Sequence, residues 1–111
     1  MEILKSSSNL SPREMYFLTK APTIEKMTAH VGETINPVQF MIYNDISANG
    51  DSHIIASIKT EAGKVYATNS PTFVREFTDL IDMFGDELIK IHILQMQSKA
   101  GRNYITCVLA D

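Results

Sequence analysis

Three histidines, one cysteine and thirteen carboxylates are the side chains of this 111-residue chain with the widest chemical reach. Metal ligation needs several of them to converge, as at His-x-x-x-His or Glu-x-x-His spacing on a helix. His30, His53 and His92 stand far apart and show neither pattern. Each is expected in a solvated or hydrogen-bonded role. Cys107 alternates with Ile105 and Leu109, so it reads as a small buried hydrophobe with no base beside it to make a nucleophile. A single cysteine also excludes an internal disulfide and a multi-cysteine zinc site. Asp86-Glu87 makes a carboxylate pair only if a cleft forms around it, and the remaining acids of residues 73–88 read as a solvated helix face. The five glycines are isolated at turns, so no phosphate-cradling loop is present. The chain reads as a non-enzyme, with no cofactor and no metal.

A different chemistry is better represented. Single-stranded nucleic acid is held by aromatic platforms that stack on bases, interleaved with cations that meet phosphates. Tyr43, Lys59, Lys64 and Tyr66 fall on the outward side of one predicted sheet face, and Lys90 lies with His92 on the outer side of a later strand. Lys99 and Arg102 occupy the turn that follows, and Tyr104 comes just after it. These eight residues are the candidate single-stranded DNA site: Tyr43, Tyr66 and Tyr104 as stacking platforms, and the five cations as phosphate contacts. Surface lysine and strand tyrosine are also common for solubility and β propensity alone. The combination on one face is what carries the functional reading.

The elements that must position these side chains can be read from periodicity and punctuation. Ser11-Pro12-Arg13-Glu14 is a capping box with proline at the first helical position, opening a short helix that Ala21-Pro22 must end. Met15 and Leu18, with Phe17, are its docking residues, and Ile24 and Met27 extend the path by one more turn. Before it, residues 1–10 read as a mobile or weakly paired arm. Residues 38–43 form a strand candidate, and residues 45–51 a loop with Asn49-Gly50 turn chemistry. Residues 53–60 alternate, with Ile54, Ala56 and Ile58 on the inner face. After Glu61-Ala62-Gly63, residues 64–68 return with Val65 and Ala67 inward, completing a hairpin. Ser70-Pro71 opens a second helix whose Phe73, Phe77, Leu80, Ile81 and Phe84 make one apolar stripe, closed by Gly85. Residues 88–97 and 103–109 are the last two strands, joined by a polar turn.

The order β-β-β-α-β-β, preceded by a short helix, is that of a five-stranded OB-type barrel with the helix plugging one end. The expected fold is therefore mainly β, a single domain with an N-terminal arm and helix (1–36) and a barrel (37–111). An open α+β sheet with both helices on one face satisfies the same order. No apolar run reaches the ~18 residues of a membrane helix, and the first ten residues lack a signal peptide's apolar stretch. A cytoplasmic protein without membrane contact is expected. Charge is polarised although its sum is only −3: residues 73–88 hold five acids (Glu76, Asp79, Asp82, Asp86, Glu87) and one base, whereas residues 89–110 hold three bases and no acid.

Several strings resemble the small single-stranded DNA-binding proteins encoded by phages and mobile elements of Gram-positive bacteria. They are Tyr43-Asn44-Asp45 with Asn49-Gly50-Asp51, the run from Gly63-Lys64-Val65-Tyr66 to Ser70, Phe73 with Phe77, and Ser98-Lys99-Ala100-Gly101-Arg102-Asn103-Tyr104-Ile105-Thr106. The N-terminal arm and helix lie outside the resemblance. It implies an OB-type fold, no catalysis, and protection of single strands during replication or transfer in a bacterial host, with host or phage replication proteins as possible partners. One departure is that the sequence ends at Leu109-Ala110-Asp111, without the acidic tail that housekeeping single-strand binders resemble one another in.

A second expectation, from another class, is a phage- or element-encoded interaction module that inhibits a host enzyme through its acidic helix 73–84. RNA binding differs from DNA binding only in contacts to the ribose hydroxyl. The six methionines and the N-terminal helix also offer a homodimer surface, although core packing is the commoner use of both.

Overall fold

The structure, a computed structural model, describes residues 1–85 and 87–110. Asp86, and with it the Asp86-Glu87 pair, lies outside the described residues, as does Asp111. In chain order the elements are β1 (Glu2–Ser6), α1 (Pro12–Thr19), β2 (Glu25–Lys26), a 3-10 turn (Met27–His30), β3 (Thr34–Ile35), β4 (Pro37–Ile46), β5 (Ser52–Thr60), β6 (Val65–Thr68), α2 (Pro71–Phe84), β7 (Lys90–Gln97) and β8 (Asn103–Ala110).

Both helices start where their capping chemistry requires. The Glu14 N–H donates to Ser11 Oγ at 3.1 Å while the Ser11 N–H donates to Glu14 Oε1 at 2.8 Å, so two otherwise unpaired helix-end donors are satisfied reciprocally. Ser70 Oγ accepts from the Phe73 N–H at 3.4 Å and donates to the Ile105 carbonyl at 2.9 Å, which ties the start of α2 to β8. Gly85 ends α2 at φ 60° and ψ −125°, a conformation that a side chain strongly disfavours.

The chain is mainly β, at 44% strand, in two sheets. One has five strands in the order β1-β4-β5-β6-β2, and the other has three in the order β3-β7-β8. Only Asn36 separates β3 from β4, so one run from Thr34 to Ile46 pairs first with β7 and then with β5. No closed barrel is detected, and no ladder joins β6 to β8 among the described residues. The N-terminal segment is also more integrated than expected. β1 pairs antiparallel with β4, with a bulge at Leu4, and β2 and β3 extend the two sheets. A boundary between arm and main body at residue 36 therefore cuts through a pairing strand run.

Two apolar clusters lie on opposite faces of the five-stranded sheet. The larger holds Ile42, Ala56, Ile58 and Tyr66 from that sheet, Phe73 and Phe77 from α2, and Ile91, Ile93, Ile105 and Cys107 from the other sheet. The smaller holds Met41, Tyr43 and Val65 under Leu18 of α1, with Met15 packed alongside. Cys107 sits in the larger core, where burial pushes its thiol up to about 12. It is a packing residue. No helix among the described residues is long and apolar enough to cross a membrane.

Phe77 is fully buried and packs edge-to-face on Phe40 at 5.5 Å. Truncation at such a site removes apolar contact and leaves a cavity, so Phe77→Ala is expected to cost about 3–5 kcal/mol. Urea unfolding should show this as a lower midpoint with an unchanged slope. A midpoint within experimental error of wild type would contradict the packing described.

Candidate nucleic-acid interface

The eight residues singled out in the sequence do not form one trough. Tyr43 is 4% exposed and Tyr66 is 6% exposed, so neither ring is a surface platform. Their burial has separate causes. Tyr43 shares a face with Met41, and α1 covers that face. Tyr66 is inward because the turn after β5 sets the hairpin register: Thr60 N–H donates to the Lys64 carbonyl at 2.7 Å, Gly63 N–H donates to the Thr60 carbonyl at 2.9 Å, and Gly63 takes φ 86°. This three-residue loop puts Ile58 opposite Tyr66 and Lys59 opposite Val65. Residues directly opposite share a face, so Tyr66 goes inward with Ile58 and Val65 goes to the α1 side, the reverse of the expectation for β6.

The remaining six divide between two surfaces. Lys90 and Tyr104 lie on the outer face of the β7–β8 hairpin, where Met96 stands opposite Tyr104, and Lys99 and Arg102 are exposed in its turn. Lys59 and Lys64 line a groove of about 610 Å³ between α1 and the β5–β6 turn, within the ~300–1,000 Å³ common for ligand sites. None of the β7–β8 residues lines it. What does line it is a group the sequence reading missed: Arg13 and Phe17, one turn apart on α1. Phe17 is 44% exposed and meets Tyr16 edge-to-face at 5.4 Å. The signal was present in the i, i+4 spacing of Arg13 and Phe17, but Phe17 was read there as a docking residue. Leu18 and Met15 fill that place instead.

The groove also contains two carboxylates, and each is engaged by the protein itself. Glu14 accepts from the Ser11 N–H and from the Gln39 side chain, and these bonds lower its pKa, the Ser11 backbone bond most. Glu25 accepts from His30 Nε2 at 3.0 Å and lies 3.9 Å from Lys64 Nζ. Arg13 and Lys59 have no carboxylate within 4.0 Å among the described residues. The groove therefore presents cations whose charge is only partly answered, beside an exposed ring.

His30 closes a small cluster behind the groove wall. Its ring stacks on Tyr66 with centroids 3.8 Å apart, Nδ1 contacts Glu33, and the Tyr66 hydroxyl donates to Glu33 Oε1 at 3.3 Å. A neutral imidazole has one donor nitrogen, so carboxylates at both nitrogens favour the imidazolium. The Glu33 hydrogen bond is the main cause holding the His30 pKa above its ordinary 6.5. His92 contacts Thr34 Oγ1 at 2.6 Å, and His53 is exposed. Among the described residues no group of three or more His, Cys, Asp or Glu side chains is arranged to hold a metal ion.

A folded-state pKa raised above the unfolded value stabilises the fold below about pH 6.5, and the gain is lost as pH rises through the folded value. The melting temperature of the wild type should therefore fall relative to His30→Gln as pH is raised from about 6 to about 9. Parallel curves for the two proteins would show that the cluster contributes nothing proton-linked.

Comparison with protein-family models, with curated proteins and with solved structures finds no match to this chain.

Proposed function

We propose that the protein is a non-enzymatic binder of single-stranded DNA with little sequence preference, and that the strand lies in the groove between α1 and the β5–β6 turn. The observation that carries this reading is the meeting of Arg13, Lys59 and Lys64 with the exposed Phe17 ring in one groove. A half-exposed ring gives an unpaired base a face to stack on, and cations three to a groove meet the phosphates on either side. Duplex DNA keeps its base faces stacked internally and cannot use that ring. Protection of exposed single strands is the role such binding serves.

An OB-type order of elements is in keeping with the same reading. The meander β4–β5–β6, the helix α2 and the hairpin β7–β8 follow the order of that fold, and the Thr34–Ile46 run joins both sheets. The acidic-surface alternative has less behind it. Asp82 is ion-paired with Lys5 and Glu76 with Arg75, so much of the negative charge on α2 is answered within the molecule.

Fluorescence anisotropy with labelled oligo-dT tests the proposal. Stacking contributes on the order of 1–3 kcal/mol per base, so Phe17→Ala is expected to weaken binding by roughly 5- to 150-fold. With about three phosphate contacts, log K should fall against log salt with a slope near −2, and Lys59→Ala with Lys64→Ala should bring it to about −0.7. Binding unaffected by these changes, or none at low salt, would overturn the proposal.

A further inference from the structure

We infer that His30 is a positioning residue for the groove: by holding one oxygen of Glu25, it keeps that carboxylate from closing on Lys64 and leaves the Lys64 ammonium available to phosphate. This rests on the groove being the nucleic-acid site. Glu25 stands between the two cations. Its Oε1 accepts from His30 Nε2 at 3.0 Å, and its Oε2 lies 3.9 Å from Lys64 Nζ, at the outer limit of an ion pair. Lys64 is the more exposed partner, with 65% of its side chain exposed, and both Glu25 and Lys64 line the groove.

The charged and titratable groups facing His30 are few. Glu33 contacts Nδ1 from the turn after the 3-10 segment, Glu25 contacts Nε2 from β2, and Tyr66 stacks on the ring from β6. Among the described residues, Lys64 reaches the cluster through Glu25. Both nitrogens donate only while the ring is protonated. Once the proton leaves, one nitrogen turns a lone pair toward a carboxylate. Glu33 is also held by the Tyr66 hydroxyl, which fixes it against Nδ1, so the Glu25 contact is the one given up. A released Glu25 then pairs with Lys64 and withdraws a cation from the groove. Nucleic-acid binding is thereby coupled to pH through a carboxylate that serves two cations in turn.

The test measures oligo-dT affinity at constant ionic strength across about pH 5.5 to 9, alongside an NMR titration of the His30 ring that locates its pKa. Wild-type affinity should fall about two- to fivefold as pH crosses that value, the size of one exposed ion pair. Glu25→Gln should bind at every pH as tightly as wild type does at low pH. Linkage is reciprocal, so saturating oligo-dT should raise the His30 pKa in the wild-type protein, a readout that needs no variant. Binding that ignores pH, a Glu25→Gln protein that keeps the wild-type pH dependence, or a His30 pKa unmoved by oligo-dT would overturn the inference while leaving the groove reading intact. Absence of binding at every pH would remove both.

Discussion

Burial of the five-stranded sheet on both faces is the constraint from which the other features follow. An antiparallel sheet commonly packs one face and leaves the other to water. Here α2 and the second sheet cover one side, and α1 covers part of the other. That second layer is an eight-residue helix whose start is set by the Ser11–Glu14 capping box and whose continuation is blocked by Ala21-Pro22. It is long enough to bury Met41, Tyr43 and Val65 beneath Leu18, but it leaves open a groove toward the β5–β6 turn. The groove is a consequence of how far a short helix reaches across a wider sheet.

The same layering explains how an acidic protein can present positive charge. The sum of charges is −3, yet what a polyanion meets is local. Glu14 is occupied by a helix cap and an amide, and Glu25 by a histidine. Across the molecule, the acids of α2 are partly answered by Lys5 and Arg75. A carboxylate paired with a cation, as Glu25 is with His30, subtracts less from the field in the groove than a count of residues suggests, whereas Glu14 on its neutral donors keeps its charge.

Much of the scaffold was legible in the sequence, because its signals are local. Ser-Pro caps, the aromatic stripe of α2, alternation in β5 and β7 and the burial of Cys107 each depend on neighbours within a few residues. The faces of β4 and β6 were not legible. Both sides of these strands carry apolar residues, so period-2 alternation cannot say which side meets the larger core, and a one-residue choice of register turns every side chain over. Tyr66 was misplaced for that reason, whereas Tyr43 lies on the expected face and is buried because α1 covers it. The two-residue strands β2 and β3 are too short for any periodicity, and the His30 cluster draws on residues as far apart along the chain as Glu25 and Tyr66, 41 positions. Phe17 illustrates the complementary problem: an aromatic on an amphipathic helix reads as core, and only tertiary packing shows that Met15 and Leu18 fill that place.

Backbone amide chemical-shift mapping during titration with oligo-dT locates the bound strand without altering any side chain. Perturbations concentrated in residues 13–17 and 59–65, saturating together, are the expected result. Perturbations confined to β7, β8 and their turn, or to α2, would contradict the placement of the strand in the α1 groove.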